Sequence, residues 1–304
     1  MIVSGCKALL DDNERPKKYY NILPDLPRQM DPYLGGDGNP ISPEDMLGIF
    51  PMELIRQEMS TERYMPIPDE VNEILGRVGR CTPLQRARGL EKKLKTPARI
   101  YFKNEGSLFT GAHKINTAIA QAYYNMKDGA ETVTTHQGKR KLTTETGAMQ
   151  WGTALSLACS LFDLKCQVFA VADSFNTKPG RRTMIELFGA QLHSSPSPLT
   201  KVGREALKQA KDHPGSLGIA ISEAIELAAA DDKTKYSLGS VLNHVLTHQS
   251  VIGLEVIEQL KAFDEREPDY FTACFGGGSK IFHAHCVHDA LLSGCSAGKS
   301  AAVS

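Results

Sequence analysis

Apolar residues recur along this chain with two periods. Residues 51–59, 69–75, 114–126, 150–162, 179–188, 202–211 and 250–262 repeat them at helical spacing. Pro68 gives the second of these stretches a start signal, and Gly189 closes the fifth. In residues 114–126, Ile115, Ala118, Ile119 and Ala122 fall on one stripe. Short runs at 99–103, 166–172, 191–193, 217–221 and 270–275 predict strands, with 217–221 leading into a helix opened by Ser222 and Glu223. Residues 166–172 are apolar almost throughout, which is the pattern of a parallel strand covered on both faces. Residues 11–50, rich in Pro, Gly and Asp, read as an extended arm over a surface. Strands alternating with helices predict an α/β fold with parallel sheets. No repeat array is present, although residues 133–138 nearly duplicate 142–147 and only the second copy carries a carboxylate.

Composition narrows the class without changing it. A chain of 304 residues can bury a large core, and 41% hydrophobic with 23% charged residues is ordinary for a globular protein. Lys+Arg and Asp+Glu are equal at 35, so no net field favours nucleic acid or an anionic membrane. Basic runs such as Lys139-Arg140-Lys141 read as solvated faces. No stretch approaches the roughly 20 apolar residues of a membrane span, and Asp11-Asp12 interrupts the N-terminus too early for a signal peptide. The seven cysteines are scattered without a CxxC pair, as free thiols of a reducing compartment are. The expected location is the cytoplasm, with a plastid not excluded.

The chemistry concentrates in three places. His113-Lys114-Ile115-Asn116 stands just past Thr110-Gly111, where a helix should begin. Lysine condenses with carbonyls, and pyridoxal 5′-phosphate (PLP) is the commonest carbonyl cofactor held that way. Glu145, thirty-one residues after Lys114, sits in a predicted Gly-containing turn as a candidate general acid/base. The backbone of Thr146-Gly147-Ala148 can donate to a substrate carboxylate. Gly276-Gly277-Gly278-Ser279, after the last predicted strand, is a candidate phosphate cradle. There is no GxxxxGK[ST] motif for a nucleoside triphosphate. His244 and His248 at i, i+4 read as packing residues, and His283, His285, Cys286 and His288 lack a framework, so no metal site is assigned.

These motifs resemble the tryptophan synthase β chain family in its second, long, stand-alone type. The likeness runs from about Asn21 to Ser279. It includes Asn21-Ile22-Leu23-Pro24-Asp25-Leu26-Pro27, Thr82-Pro83-Leu84, the lysine and glutamate motifs, Gln150-Trp151-Gly152 and Tyr236-Ser237-Leu238-Gly239-Ser240. The resemblance implies a fold-type-II PLP enzyme with two Rossmann-like subdomains, the second incomplete. It implies a β-replacement in which L-serine and indole give L-tryptophan and water. By the same likeness Lys114 binds PLP covalently and moves the α-proton, and Glu145 assists hydroxide departure and indole activation. His113, Asn116, Gly276, Gly277, Gly278 and Ser279 hold the cofactor. Thr146, Gly147, Ala148 and Gln150 hold the serine carboxylate. A homodimer and a tryptophan synthase α chain are possible partners.

The chain departs from the family pattern at three points. Met149 stands where the family loop has glycine, which would push the loop from its conformation or crowd the substrate. About nine extra residues fall between Gly129 and Leu142, and Lys280 replaces an asparagine. The expected organisation is a family-specific arm at 1–79, a truncated PLP domain at 80–279 and an unrelated tail at 280–304. Two other readings stay open. One is a different activity of the same class, serine or threonine dehydratase or cysteine synthase, against which the His-Lys-Ile-Asn context and the arm argue. The other is a non-catalytic fragment whose incomplete sheet leaves an uncovered edge.

Overall fold

Lys165–Val171, the most apolar of the predicted strands, becomes an inner strand of a sheet of four. Its neighbours are Lys141–Thr146 and Gln191–Ser195, and Thr234–Tyr236 pairs the far side of Lys141–Thr146. All three pairings are parallel. The computed structural model describes residues 1–35, 37–132, 140–280 and 299–303. The near-duplicate at 133–138 and the cluster His283, His285, Cys286 and His288 lie outside the described residues. The chain forms two units. The first comprises residues 1–29, 60–113 and 240–304; the second comprises 30–59 and 114–239 and holds the parallel sheet.

In the second unit the helix Gln150–Leu161 lies within a residue of its foreseen bounds, while Ile115–Thr132 starts within a residue of 114 and runs six residues past 126. Ile115, Ala118, Ile119 and Ala122 are fully buried, as their stripe predicts. Gln150–Leu161 buries every residue from Trp151 to Cys159. Its close seat needs Gly152, where a Cβ would lie 2.9 Å from Val168 and 3.1 Å from Ile185. Each large apolar side chain buried here contributes about 1.5–3 kcal/mol.

Two local expectations are corrected. Residues 217–221 are not a strand but the first turns of the helix Leu217–Ala229. Ser216, not Ser222, caps it by accepting from the Ile219 amide at 3.1 Å. Ala220, Ala224 and Ala228, spaced by four, supply the buried stripe. Glu145 likewise stands in a strand and not in a turn. Lys141–Thr146 has one apolar member, yet Leu142, Thr143, Thr144, Glu145 and Thr146 are all buried. Threonine's branched Cβ suits the strand, and hydrogen bonds satisfy Thr144 and Thr146.

The first unit carries a four-stranded sheet ordered Ile2–Ser4, Lys7–Leu9, Leu84–Arg86 and Tyr101–Lys103. Its pairings are antiparallel, where the expectation was a parallel sheet in each subdomain. Only Ile2–Ser4 and Lys7–Leu9 are joined by a tight turn, which an antiparallel pair allows and a parallel pair does not. Tyr270–Cys274 pairs in parallel with Lys299–Val303. A buried ion cluster braces the unit: Arg80 Nε donates to Glu255 at 2.6 Å, Arg80 Nη2 to Glu105 at 2.8 Å and Lys103 Nζ to Glu255 at 2.6 Å. His244 and His248 are buried in the helix Asn243–Gln249, with ring centres 5.9 Å apart. No helix among the described residues is long and apolar enough to cross a membrane.

Candidate active site

The glycine cradle lies in the first unit. Tyr270–Cys274 delivers the chain to Gly276, Gly277 and Gly278. Gly278 takes φ +88, a left-handed value that glycine adopts without steric cost. Gly277 is held against Ser240, where a Cβ would fall 2.2 Å from the hydroxyl, and its carbonyl accepts from the Val241 amide at 3.1 Å. The turn is therefore shaped by the absence of side chains. Ser279 is buried at its end, and its Oγ lies 3.0 Å from His113 Nε2. Sequence separation is 166 residues, so the fold brings together two of the residues assigned to the phosphate.

The acid/base candidates lie in the second unit. Lys114 precedes the helix Ile115–Thr132, and its ammonium donates to the Gly239 carbonyl at 2.6 Å. That carbonyl belongs to the segment Ser237-Leu238-Gly239, which is fixed from several sides. Gln121 donates to Leu238 O at 2.9 Å and accepts from Leu238 N at 3.3 Å. Thr144 Oγ1 donates to Ser237 O at 2.5 Å and accepts from the Trp151 indole at 2.6 Å. Gly239 packs so tightly on that indole that a Cβ would lie 2.4 Å from its ring. Asn116, the last residue of the lysine motif, is fully buried.

Glu145 is buried and accepts from the Tyr236 phenol at 2.5 Å. Burial pushes its carboxyl up to about 7, against the opposing pull of the Tyr236 hydrogen bond and the Lys114 charge. Burial and the facing carboxylate push the Tyr236 phenol far above its ordinary range, so it keeps its proton. A carboxyl that titrates near neutrality can both give and take a proton.

Thr146, Gly147 and Ala148 carry the chain from this strand to the helix start. The Thr146 hydroxyl accepts from the Gly152 amide at 3.1 Å and so fixes the turn. Gln150 is the first residue of Gln150–Leu161 and half-buried. Met149 has φ 66 and ψ 0 with its side chain fully buried, so the loop takes the left-handed geometry despite the side chain. Such a conformation costs a non-glycine residue about 1–2 kcal/mol.

Tyr236, Gln121, Trp151 and Gly239 received no role from the sequence, although all but Gln121 stand in or beside motifs already quoted. Their significance lies in contacts spanning up to 125 residues. Among the described residues no group of three or more His, Cys, Asp or Glu side chains could hold a metal.

A lysine amine, a buried carboxyl raised to about 7 and a glycine turn are the parts that the class of carbonyl-cofactor proteins requires, and this chain carries all three. The profile of the pyridoxal-phosphate dependent enzymes matches residues 76–282, and the chain belongs to that family, whose cofactor is PLP. The chain is 55% identical over 276 residues to the tryptophan synthase β chain of Thermococcus gammatolerans, covering 90% of this chain and 60% of the relative. It is 54% identical over 288 residues to that of Pyrococcus horikoshii, covering 92% and 60%. It is also 54% identical over 276 residues to tryptophan synthase β chain 2 of Methanosarcina mazei, covering 90% and 60%. The chain thus spans about 60% of the length of these relatives. Two solved structures share the fold. A PLP-dependent aspartate racemase superposes with TM-score 0.51 at 17% identity, over 78% of this chain and 64% of that one. Escherichia coli diaminopropionate ammonia lyase superposes with TM-score 0.53 at 16% identity, over 72% and 58%.

Proposed function

We propose that this chain carries the chemistry of a PLP-dependent β-replacement that joins L-serine and indole into L-tryptophan with release of water. The identity to tryptophan synthase β chains supports the substrates. The observation that carries the chemistry is the Lys114 ammonium seated on Gly239 O in the same unit as a Glu145 carboxyl raised to about 7.

The residues present fit the cofactor. Gly277 and Gly278 shape a turn that admits an anion, with His113 and Ser279 paired beside it. Lys114 follows His113 in the chain and supplies the amine for the aldehyde. When bound, PLP supplies an electron sink for charge developing at the serine α-carbon. Lys114 removes and returns the α-proton. Glu145 gives a proton to the departing hydroxide and then takes one from indole, which a carboxyl near pKa 7 can do at neutral pH. The amides of Gly147 and Ala148 hold the serine carboxylate beside Gln150.

Small-molecule substrates, a homodimer and an α-chain partner belong to the same reading, as does a cytoplasmic location. The test is direct. Protein mixed with PLP gains visible absorbance that Lys114→Ala removes, and with serine and indole it yields tryptophan. Absence of the absorbance refutes cofactor binding. Pyruvate without tryptophan refutes the β-replacement and favours a dehydratase.

A further inference from the structure

Strand pairing delivers a phenol to the Glu145 carboxyl from 91 residues away. Thr234–Tyr236 runs parallel to Lys141–Thr146 with Tyr236 opposite Thr143. Glu145, two residues beyond Thr143, projects from the same face. The Tyr236 ring is buried and tilts against Phe50 with centres 5.9 Å apart. Its amide donates to Ile49 O at 2.8 Å, so ring and backbone are fixed independently of the hydroxyl. The hydroxyl then reaches Glu145 Oε2 at 2.5 Å, where a longer contact from Thr144 Oγ1 at 3.4 Å also falls.

We propose that Tyr236 is the positioning residue of the proton-handling carboxyl: its hydroxyl holds Oε2 in place and leaves Oε1 to give and take the proton. This rests on the role assigned to Glu145 under the proposed function. Tyr236 itself exchanges no proton. Its hydroxyl donates one hydrogen bond throughout, and that bond is stronger when Glu145 is ionised. The ionised form is thereby favoured in a site where burial opposes it. Lys114 also acts on Glu145, and its charge pulls the same way.

Tyr236→Phe keeps the ring against Phe50 and removes the donor. In protein labelled with ¹³C-carboxyl glutamate, without cofactor, the Glu145 resonance is assigned by its loss in Glu145→Gln and titrated by NMR. The expected result is a midpoint raised by roughly one to two pH units in Tyr236→Phe, the shift that one hydrogen bond to a charged group produces. In the loaded enzyme, the pH profile of kcat moves alkaline by the same amount while KM for serine is little changed. Should Tyr236→Phe fail to fold, a fluorotyrosine placed at position 236 alone is the second probe; its more acidic hydroxyl lowers the midpoint. An unmoved midpoint in either variant overturns the proposal and leaves the proposed function intact. A moved midpoint, in a protein whose PLP absorbance survives Lys114→Ala, sinks the proposed function and the catalytic role with it, while the pairing stands as structural only.

Discussion

Replacing Glu145 by glutamine separates what the residue does for chemistry from what it costs the fold. The carboxyl is buried, and burial raises it from an ordinary 4.5 to about 7. The folded state therefore keeps its proton to a pH where the unfolded chain has long released it. A raised carboxyl contributes most below the unfolded value, and that contribution is lost as pH rises through the folded value. Two and a half units correspond to about 3 kcal/mol at pH 8 and to about 1 kcal/mol at pH 5.5. Glutamine has the same shape, carries no charge and can still accept from Tyr236. Glu145→Gln should therefore be more stable than the parent by up to about 3 kcal/mol at pH 8, with the gap shrinking toward pH 5.5. Urea unfolding at the two pH values reads this difference. Activity, where the parent has it, should fall by roughly 10²–10⁴-fold because the acid/base group is gone. A glutamine variant less stable at pH 8, or a stability gap independent of pH, would refute the claim that an ionised carboxylate is held there at a cost.

Three further outcomes follow from the same geometry. Gly277→Ala places a methyl group 2.2 Å from the Ser240 hydroxyl, so the turn must shift; it should weaken PLP binding about tenfold or more, read by fluorescence titration, and cost about 1–3 kcal/mol by urea unfolding. Glu255→Gln leaves Arg80 and Lys103 without their shared buried anion and should cost about 3–5 kcal/mol by urea unfolding; a cost under 1 kcal/mol would contradict the bracing role. Burial and the neighbouring His244 hold His248 well below its usual 6.5, so the folded state resists protonation. Its contribution is present above pH 6.5 and declines below it by about 1.4 kcal/mol per pH unit, a slope that His248→Phe should flatten.

Lys114 and Glu145 stood out as candidates in the sequence because a lysine beside a histidine and a carboxylate beside a glycine occur together with a downstream glycine triplet. The helix Gln150–Leu161 and the strand Lys165–Val171 were legible because their apolar runs are long and bounded. The strand Lys141–Thr146 was not, since four of its five buried residues are polar and a hydrophobic pattern cannot register them. Their hydrogen bonds to Ser237, Trp151 and Gly152 exist only once the sheet forms. The helix Leu217–Ala229 was misread because a short apolar run has no decisive period, although the Ser216 cap and the alanines four apart were available. Tyr236 could not be assigned from sequence, because its partner lies 91 residues away and only the strand register pairs them.

The central claim is that Lys114 is the amine that takes the cofactor. Protein equilibrated with PLP, reduced with borohydride and digested, reports by peptide mass spectrometry which lysine carries the pyridoxyl group. The account predicts modification of Lys114 alone. A label on another lysine, or on none, would contradict it.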